Sequence, residues 1–152
     1  MVRRIVEVYS ESKRGEGEVS SILDDILATP VSPELLPPKD GEIAQCTEQL
    51  VGPYELHDFF IYCILGCHLS LRETYRRAKE SLGDVYDNKT ILGWLRVFAR
   101  RFISQQFKRS CLPDGPKVSC ISVSPRGSLF MPSDASAAVW LEELEKMEKE
   151  EK

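Results

Sequence analysis

Lys108, Arg109 and Ser110 form the run best suited to anion chemistry in this 152-residue chain. A compact ammonium, a forked guanidinium and a hydroxyl stand at consecutive positions, and such a set suits a phosphate or a carboxylate. Pro113, Gly115 and Pro116 follow closely. A loop restrained in this way loses little conformational freedom when a ligand orders it. The same two cations also suit a helix C-terminus, where they offset the macrodipole. Residue types alone leave both roles open.

Other reactive groups give weaker signals. Cys63 and Cys67 are four residues apart, with His68 beside them. One helical face could offer two thiolates to a metal, but no second ligand pair follows, and two small apolar side chains in a buried helix are the plainer account. The five cysteines (Cys46, Cys63, Cys67, Cys111 and Cys120) are odd in number and irregularly spaced, which argues against a disulfide framework. Only two histidines occur, His57 and His68, and neither lies in H-E-x-x-H. Glycine loops of the kind that cradle phosphates are absent, and nothing in the spacing favours a Ser-His-Asp or Cys-His set. The chain therefore reads as something other than a self-contained enzyme.

Charge is unevenly spread around the net value of −4. Residues 1–58 carry five Lys/Arg and twelve Asp/Glu, whereas 89–117 carry seven Lys/Arg against the single Asp114. Residues 134–152 turn acidic again, with seven acids and three lysines. A basic segment inside an acidic chain points to a discrete anionic ligand more than to bulk nucleic acid. Phe98, Phe102 and Phe107 interleave with the basic residues, as in single-strand binders, but their helical spacing predicts core positions. No apolar run approaches the roughly 20 residues that span a bilayer. Glu7 interrupts the apolar stretch after Arg3 and Arg4, so the start is no signal peptide, and a cytoplasmic protein is expected.

Helices must position these groups. Residues 2–12 predict one, with Val2, Ile5, Val6 and Tyr9 on one side, and 18–28 a second, with Val19, Ile22, Leu23, Ile26 and Leu27 as its buried stripe. Four prolines make 30–41 an extended, partly rigid loop that Leu35 and Leu36 hold against something. The segment 42–51 is ambiguous. Residues 54–66 are apolar almost all round from Phe59 to Leu65, as in a helix that is buried or faces a partner. Ser70 and Glu73 suggest a capping box for a helix ending at Gly83. Asn88 is the expected cap of a helix from 89 to about 107, striped by Ile91, Leu95, Phe98 and Phe102. Only 118–123 alternates as a strand does. The last helix is expected over 134–151, capped by Ser133 or Asp134 and frayed beyond Leu144.

Several stretches together resemble the C-terminal end of the synthetase domain of bacterial-type glutamine-dependent NAD+ synthetases. They are ILATPVSPELLPP (26–38), GEIAQCTEQLVGPYELHDFF (41–60), ILGWLRVFARRFISQQFKRSCLPDGPKV (91–118), SPRG (124–127) and MPSDASA (131–137). They occur in the family's order and cover about residues 18–141. A lone Lys-Arg pair would say little, but the ordered set is specific. The resemblance implies a mainly α piece, the C-terminal helical portion of an adenine-nucleotide α-hydrolase-like α/β/α domain, with little or no sheet of its own. Residues 1–141 would form that incomplete domain and 142–152 a charged helical tail.

The resemblance also implies chemistry. Such enzymes use ATP and Mg2+ to adenylate the nicotinate carboxylate of deamido-NAD, and ammonia from glutamine then displaces AMP. The S-G-G-x-D-S loop that opens the family's synthetase domain and the glutaminase domain are both absent from this sequence, so ATP and Mg2+ would be bound mainly upstream. By the same resemblance Lys108 and Arg109 are cations for the substrate, Ser110 is a nearby donor, and Ser32, Glu34, Thr47 and Glu48 are polar candidates in a closing loop. The implied partners are the remainder of the synthetase and, in the full enzyme, further copies of it; neither a membrane nor a nucleic acid is implied. The family's acid, indole and arginine are replaced here by Ser128, Leu129 and Phe130, and Phe107 stands where some smaller ammonia-dependent relatives carry histidine. A non-catalytic helical interaction module is the competing expectation, resting on the apolar 54–66 segment.

Overall fold

The computed structural model describes residues 2–15, 17–29, 51–117 and 119–151. They fall into two compact units, residues 1–50 and 51–152. The Pro-rich loop, the 42–51 segment up to residue 50 and Cys46 lie outside the described residues.

The first unit contains α1 (Val2–Ser12) and α2 (Gly17–Ala28), at the predicted positions. Hydrogen bonds cross between the helices: the buried Ser10 hydroxyl donates to Asp24 Oδ1 at 2.6 Å and lies 3.2 Å from Ser20 Oγ, and Arg3 Nη2 donates to the Leu27 carbonyl at 2.9 Å. No α2 side chain is buried. Ile22 (53% exposed) and Ile26 (58%) face outward, as do Ile5 (55%) and Tyr9 (52%) of α1. The expected buried stripe is thus corrected. Two helices can cover only a narrow seam of each other, and Ser10, Ser20 and Asp24 bond across this one.

The second unit is built around α5 (Asn88–Ser104), against which α3 (Tyr54–Ile61), α4 (Leu71–Leu82) and α7 (Ala138–Glu150) pack. The α5 stripe is buried as predicted: Ile91, Leu95, Phe98 and Phe102 line the core, where Leu56, Phe60, Tyr75, Ala78, Leu144 and Met147 meet them. Leu92, Ala99 and Ile103 are buried as well, because neighbours lie on more than one side. The apolar segment after α3 continues as a π-helical turn, Tyr62–Gly66, rather than as α-helix. His68 then takes a left-handed conformation (φ 55°) and brings the chain to Ser70. Gly52, also left-handed (φ 94°), leaves no room for a Cβ, which would fall 2.5 Å from the Trp94 ring.

Helix ends differ from expectation in instructive ways. Ser70 caps α4 by accepting from the Glu73 N–H at 3.2 Å. The Glu73 carboxylate turns instead to Arg76 and Arg77. Asp87 caps α5, accepting from the Thr90 N–H at 2.6 Å, and Asn88 is already helical. The helix expected to reach residue 107 breaks at Gln105 (φ −98°, ψ 13°) and resumes as the short α6 (Gln106–Ser110). No strand forms among the described residues: 119–124 is irregular, since an alternating segment needs a partner ladder. The last helix starts at Ala138, whose N–H donates to Ser136 Oγ at 3.2 Å, not at residue 134. It does not fray after Leu144. Met147 is 2% exposed, and acids beyond it reach Arg72 (Glu150, 2.5 Å) and Lys79 (Glu151, 2.7 Å). Such exposed pairs contribute little each; the two buried apolar side chains are the main anchor.

Candidate anion site at the end of the central helix

The basic residues of α5 separate along its length. Arg96 faces α7 and pairs with Glu145 (2.9 Å) and Glu148 (3.1 Å). Arg100 and Arg101 are exposed. Among the described residues no carboxylate pairs with Arg100, Arg101, Lys108 or Arg109. Among the described residues, positive charge is therefore left without a paired acid where α5 ends and α6 begins.

Consecutive helix positions point about 100° apart, and the short α6 turns Arg109 inward and Lys108 outward. The half-buried Arg109 guanidinium lies over the Phe102 ring, 4.3 Å from its centroid. Its Nη2 donates to the Phe102 carbonyl at 2.5 Å and its Nε to Gln106 Oε1 at 2.8 Å. Arg109 thus satisfies a carbonyl left open at the C-terminal end of α5. Burial lowers its pKa from the ordinary arginine value, but a guanidinium starts so high that the charge persists at neutral pH. Of its five N–H donors, three stay uncommitted among the described residues, those of Nη1 and one on Nη2. Lys108 is exposed, with Nζ 6.0 Å from the Phe107 ring centroid. Ser110 is exposed too, and its Oγ lies 3.5 Å from Ser133 Oγ, at the outer limit of a hydrogen bond.

Aromatic rings back this site. Phe98 stacks on Phe102 at 5.2 Å, and Trp140 of α7 lies nearly parallel to Phe102 at 6.5 Å. The loop after α6 is tied back by Arg126, which donates to the Leu112 carbonyl and pairs with Asp114 at 3.1 Å. Two structural contributors, Gln106 and Arg126, carry no sequence expectation. Gln106 had a visible signal: it continues the 91, 95, 98, 102 spacing, so a polar side chain falls where the core stripe demands an apolar one. Phe98 and Phe102 are core as predicted, while Phe107 is 51% exposed, contrary to its predicted core place. It lies one position past Gln106, which continues the stripe, and so about 100° away from it.

Of the sequence-predicted site residues, Lys108, Arg109 and Ser110 come together on α6. Ser32, Glu34, Thr47 and Glu48 lie outside the described residues. Cys63 is buried, which pushes its thiol pKa up, Cys67 is exposed, and no group of three His, Cys, Asp or Glu is placed to hold an ion among the described residues. No described helix is long and apolar enough to cross a membrane. A groove of about 640 Å³ lined by Tyr75, Lys89, Leu92 and Glu148 lies at the opposite end of α5.

Among the described residues, fold and site together define a helical segment with a cationic helix end, stabilised by side-chain packing and without a sheet. No family model matches the chain. It is similar to the glutamine-dependent NAD(+) synthetase of Mycobacterium leprae (strain TN), 35% identical over 175 residues that cover 99% of this chain and 25% of the relative. The synthetases of Mycobacterium bovis and of Mycobacterium tuberculosis (strain H37Rv) are each 35% identical over 157 residues, covering 91% of this chain and 23% of the relative. The chain is thus a relative of the glutamine-dependent NAD(+) synthetases along nearly its whole sequence, and it spans about a quarter of the length of the curated relatives it matches.

Proposed function

We propose that this chain is the C-terminal part of an NAD+-forming ligase and supplies cations that hold deamido-NAD while its carboxylate is adenylated. The observation that carries this reading is the pair Lys108 and Arg109, unpaired with acids among the described residues, within the stretch that carries the family resemblance. Adenylation brings a carboxylate, a triphosphate and a dinucleotide pyrophosphate together, and fixed cations and donors must screen their repulsion. On this reading the two residues do different work: Lys108 is the outward point charge, while Arg109, anchored at the helix end, offers its remaining donors from a fixed base. Ser110 adds a hydroxyl beside them. The basic terminus suits phosphate, and on this reading ATP, Mg2+ and the ammonia released from glutamine are bound mainly by the remainder of the synthetase. Ser32, Glu34, Thr47 and Glu48 belong, on this reading, to a segment that closes over substrate and excludes water from the acyl-adenylate. Assembly with that remainder, and with further copies of the whole enzyme, follows from the same assignment, as does a cytoplasmic setting.

The test is reconstitution. Alone, the chain forms no NAD+ from deamido-NAD, ATP and ammonia; with a separately produced upstream portion of a synthetase it does, and Lys108→Ala weakens kcat/KM by about 10²-fold or more, the scale of one lost charge contact in the transition state. Turnover by the chain alone, or a Lys108→Ala variant as active as the parent, ends this reading. The exposed apolar faces of α1 and α2 favour a second reading, a non-catalytic interaction module; it stands if the chain binds a protein partner but shows no affinity for deamido-NAD or pyrophosphate.

A further inference from the structure

Gln106 is fully buried (0% exposed) at the start of α6, where it continues the apolar stripe of α5. A buried amide left unsatisfied is costly, and both ends of this one are engaged. Its Oε1 accepts from Arg109 Nε at 2.8 Å, and its Nε2 donates to the Met131 carbonyl at 3.3 Å. Met131 itself packs against the core. The guanidinium is therefore held on two edges, by Gln106 at Nε and by the Phe102 carbonyl at Nη2, with the Phe102 ring beneath. Because Nε and Nη2 lie on one side of the guanidinium plane's outline, Nη1 is the edge left for a ligand.

We propose that Gln106 is a positioning residue: it fixes the orientation of Arg109 so that the Nη1 edge meets an anionic phosphate group, and it couples that orientation to the 129–133 segment through Met131. This rests on the anion-binding reading of Lys108 and Arg109, and it adds a residue that never touches the ligand. An apolar side chain of similar size fills the same space without holding Nε; a glutamate accepts from Nε but neutralises the guanidinium and cannot donate to Met131.

The test follows the Arg109 Nε–H signal by ¹⁵N-edited NMR on the full chain, identified by its loss in Arg109→Lys, alongside titration with inorganic pyrophosphate and thermal unfolding. In the parent the Nε–H exchanges slowly with solvent. In Gln106→Leu it joins the exposed arginines, and pyrophosphate binding weakens about tenfold, the size expected for one net hydrogen bond to a charged group. In Gln106→Glu the signal persists and moves downfield, and pyrophosphate binding still falls at least tenfold while a cooperative unfolding transition remains; this variant decides the matter if the leucine variant does not fold. An Nε–H unmoved by Gln106→Leu, or parental pyrophosphate affinity in both variants, overturns the assignment. If the parent ignores pyrophosphate while its Nε–H still depends on Gln106, the anion reading of the site falls and the positioning of Arg109 by Gln106 stands.

Discussion

At the residue scale, two adjacent cations of equal formal charge do unequal work. Arg109 is a ring-stacked, half-buried cap on α5, so Arg109→Ala should cost about 1–3 kcal/mol of folding stability, the range for a charged hydrogen bond and a cation–π contact together. Lys108→Ala should leave the urea midpoint unchanged and reduce only anion affinity. Equal destabilisation by the two substitutions in urea titrations would contradict this division. The residue types were legible in the sequence, and so in part were their directions: 109 continues the 91, 95, 98, 102, 106 spacing, which turns Arg109 inward and Lys108 outward, but its partners, the Phe102 carbonyl and Gln106, were not. Glu73 makes a second residue-scale case. Hydrogen bonds from Arg76 and then Arg77 lower its pKa to about 2. Salt bridges likewise lower Glu150 and Glu151, through Arg72 and Lys79. A carboxyl depressed in the folded state binds fewer protons there than when unfolded, so stability is present above the unfolded value near 4.3 and declines as pH falls toward about 2. Acid titration of the melting temperature should show that decline, and Glu73→Gln should make it shallower.

At the element scale, periodicity located α1, α2 and the α5 stripe because each carries a regular apolar pattern of its own, and the Ser70–Glu73 capping pattern with Gly83 located α4. What it missed were ends and partners. Asp87 and Asn88 are both good caps, and the choice falls to the residue whose carboxylate reaches the Thr90 N–H. Asp87→Ala should therefore cost about 0.5–2 kcal/mol, whereas Asn88→Ala should cost less, read by urea denaturation. A string of Glu and Lys beyond Leu144 looks like a fraying tail when read alone. The cations that accompany it, Arg72, Lys79 and Arg96, lie far away in sequence, and so their help was invisible. Leu144→Ala should destabilise the second unit by about 2–5 kcal/mol, as for a fully buried leucine; a change below 1 kcal/mol would mean that α7 is not part of the core.

At the scale of the whole molecule, about a quarter of a synthetase's length is enough to build one continuous core, in residues 51–152, but not to cover every apolar face. Ile5, Tyr9, Ile22 and Ile26 remain more than half exposed on α1 and α2, which a sequence pattern cannot foretell, since the same stripe is written whether its partner is present or not. The chain should bind the dye ANS, and Ile22→Glu with Ile26→Glu should reduce that fluorescence without shifting the main unfolding transition. The order of elements in the second unit also has a temporal meaning. The ribosome makes α3, α4 and α5 before α7, so the bed that receives Leu144 and Met147 emerges first and waits, oily side bare, for the side chains that close it. During that interval a nascent-chain chaperone has a surface to hold, and the Arg72–Glu150 clasp can latch only when synthesis has passed nearly eighty residues beyond the arginine.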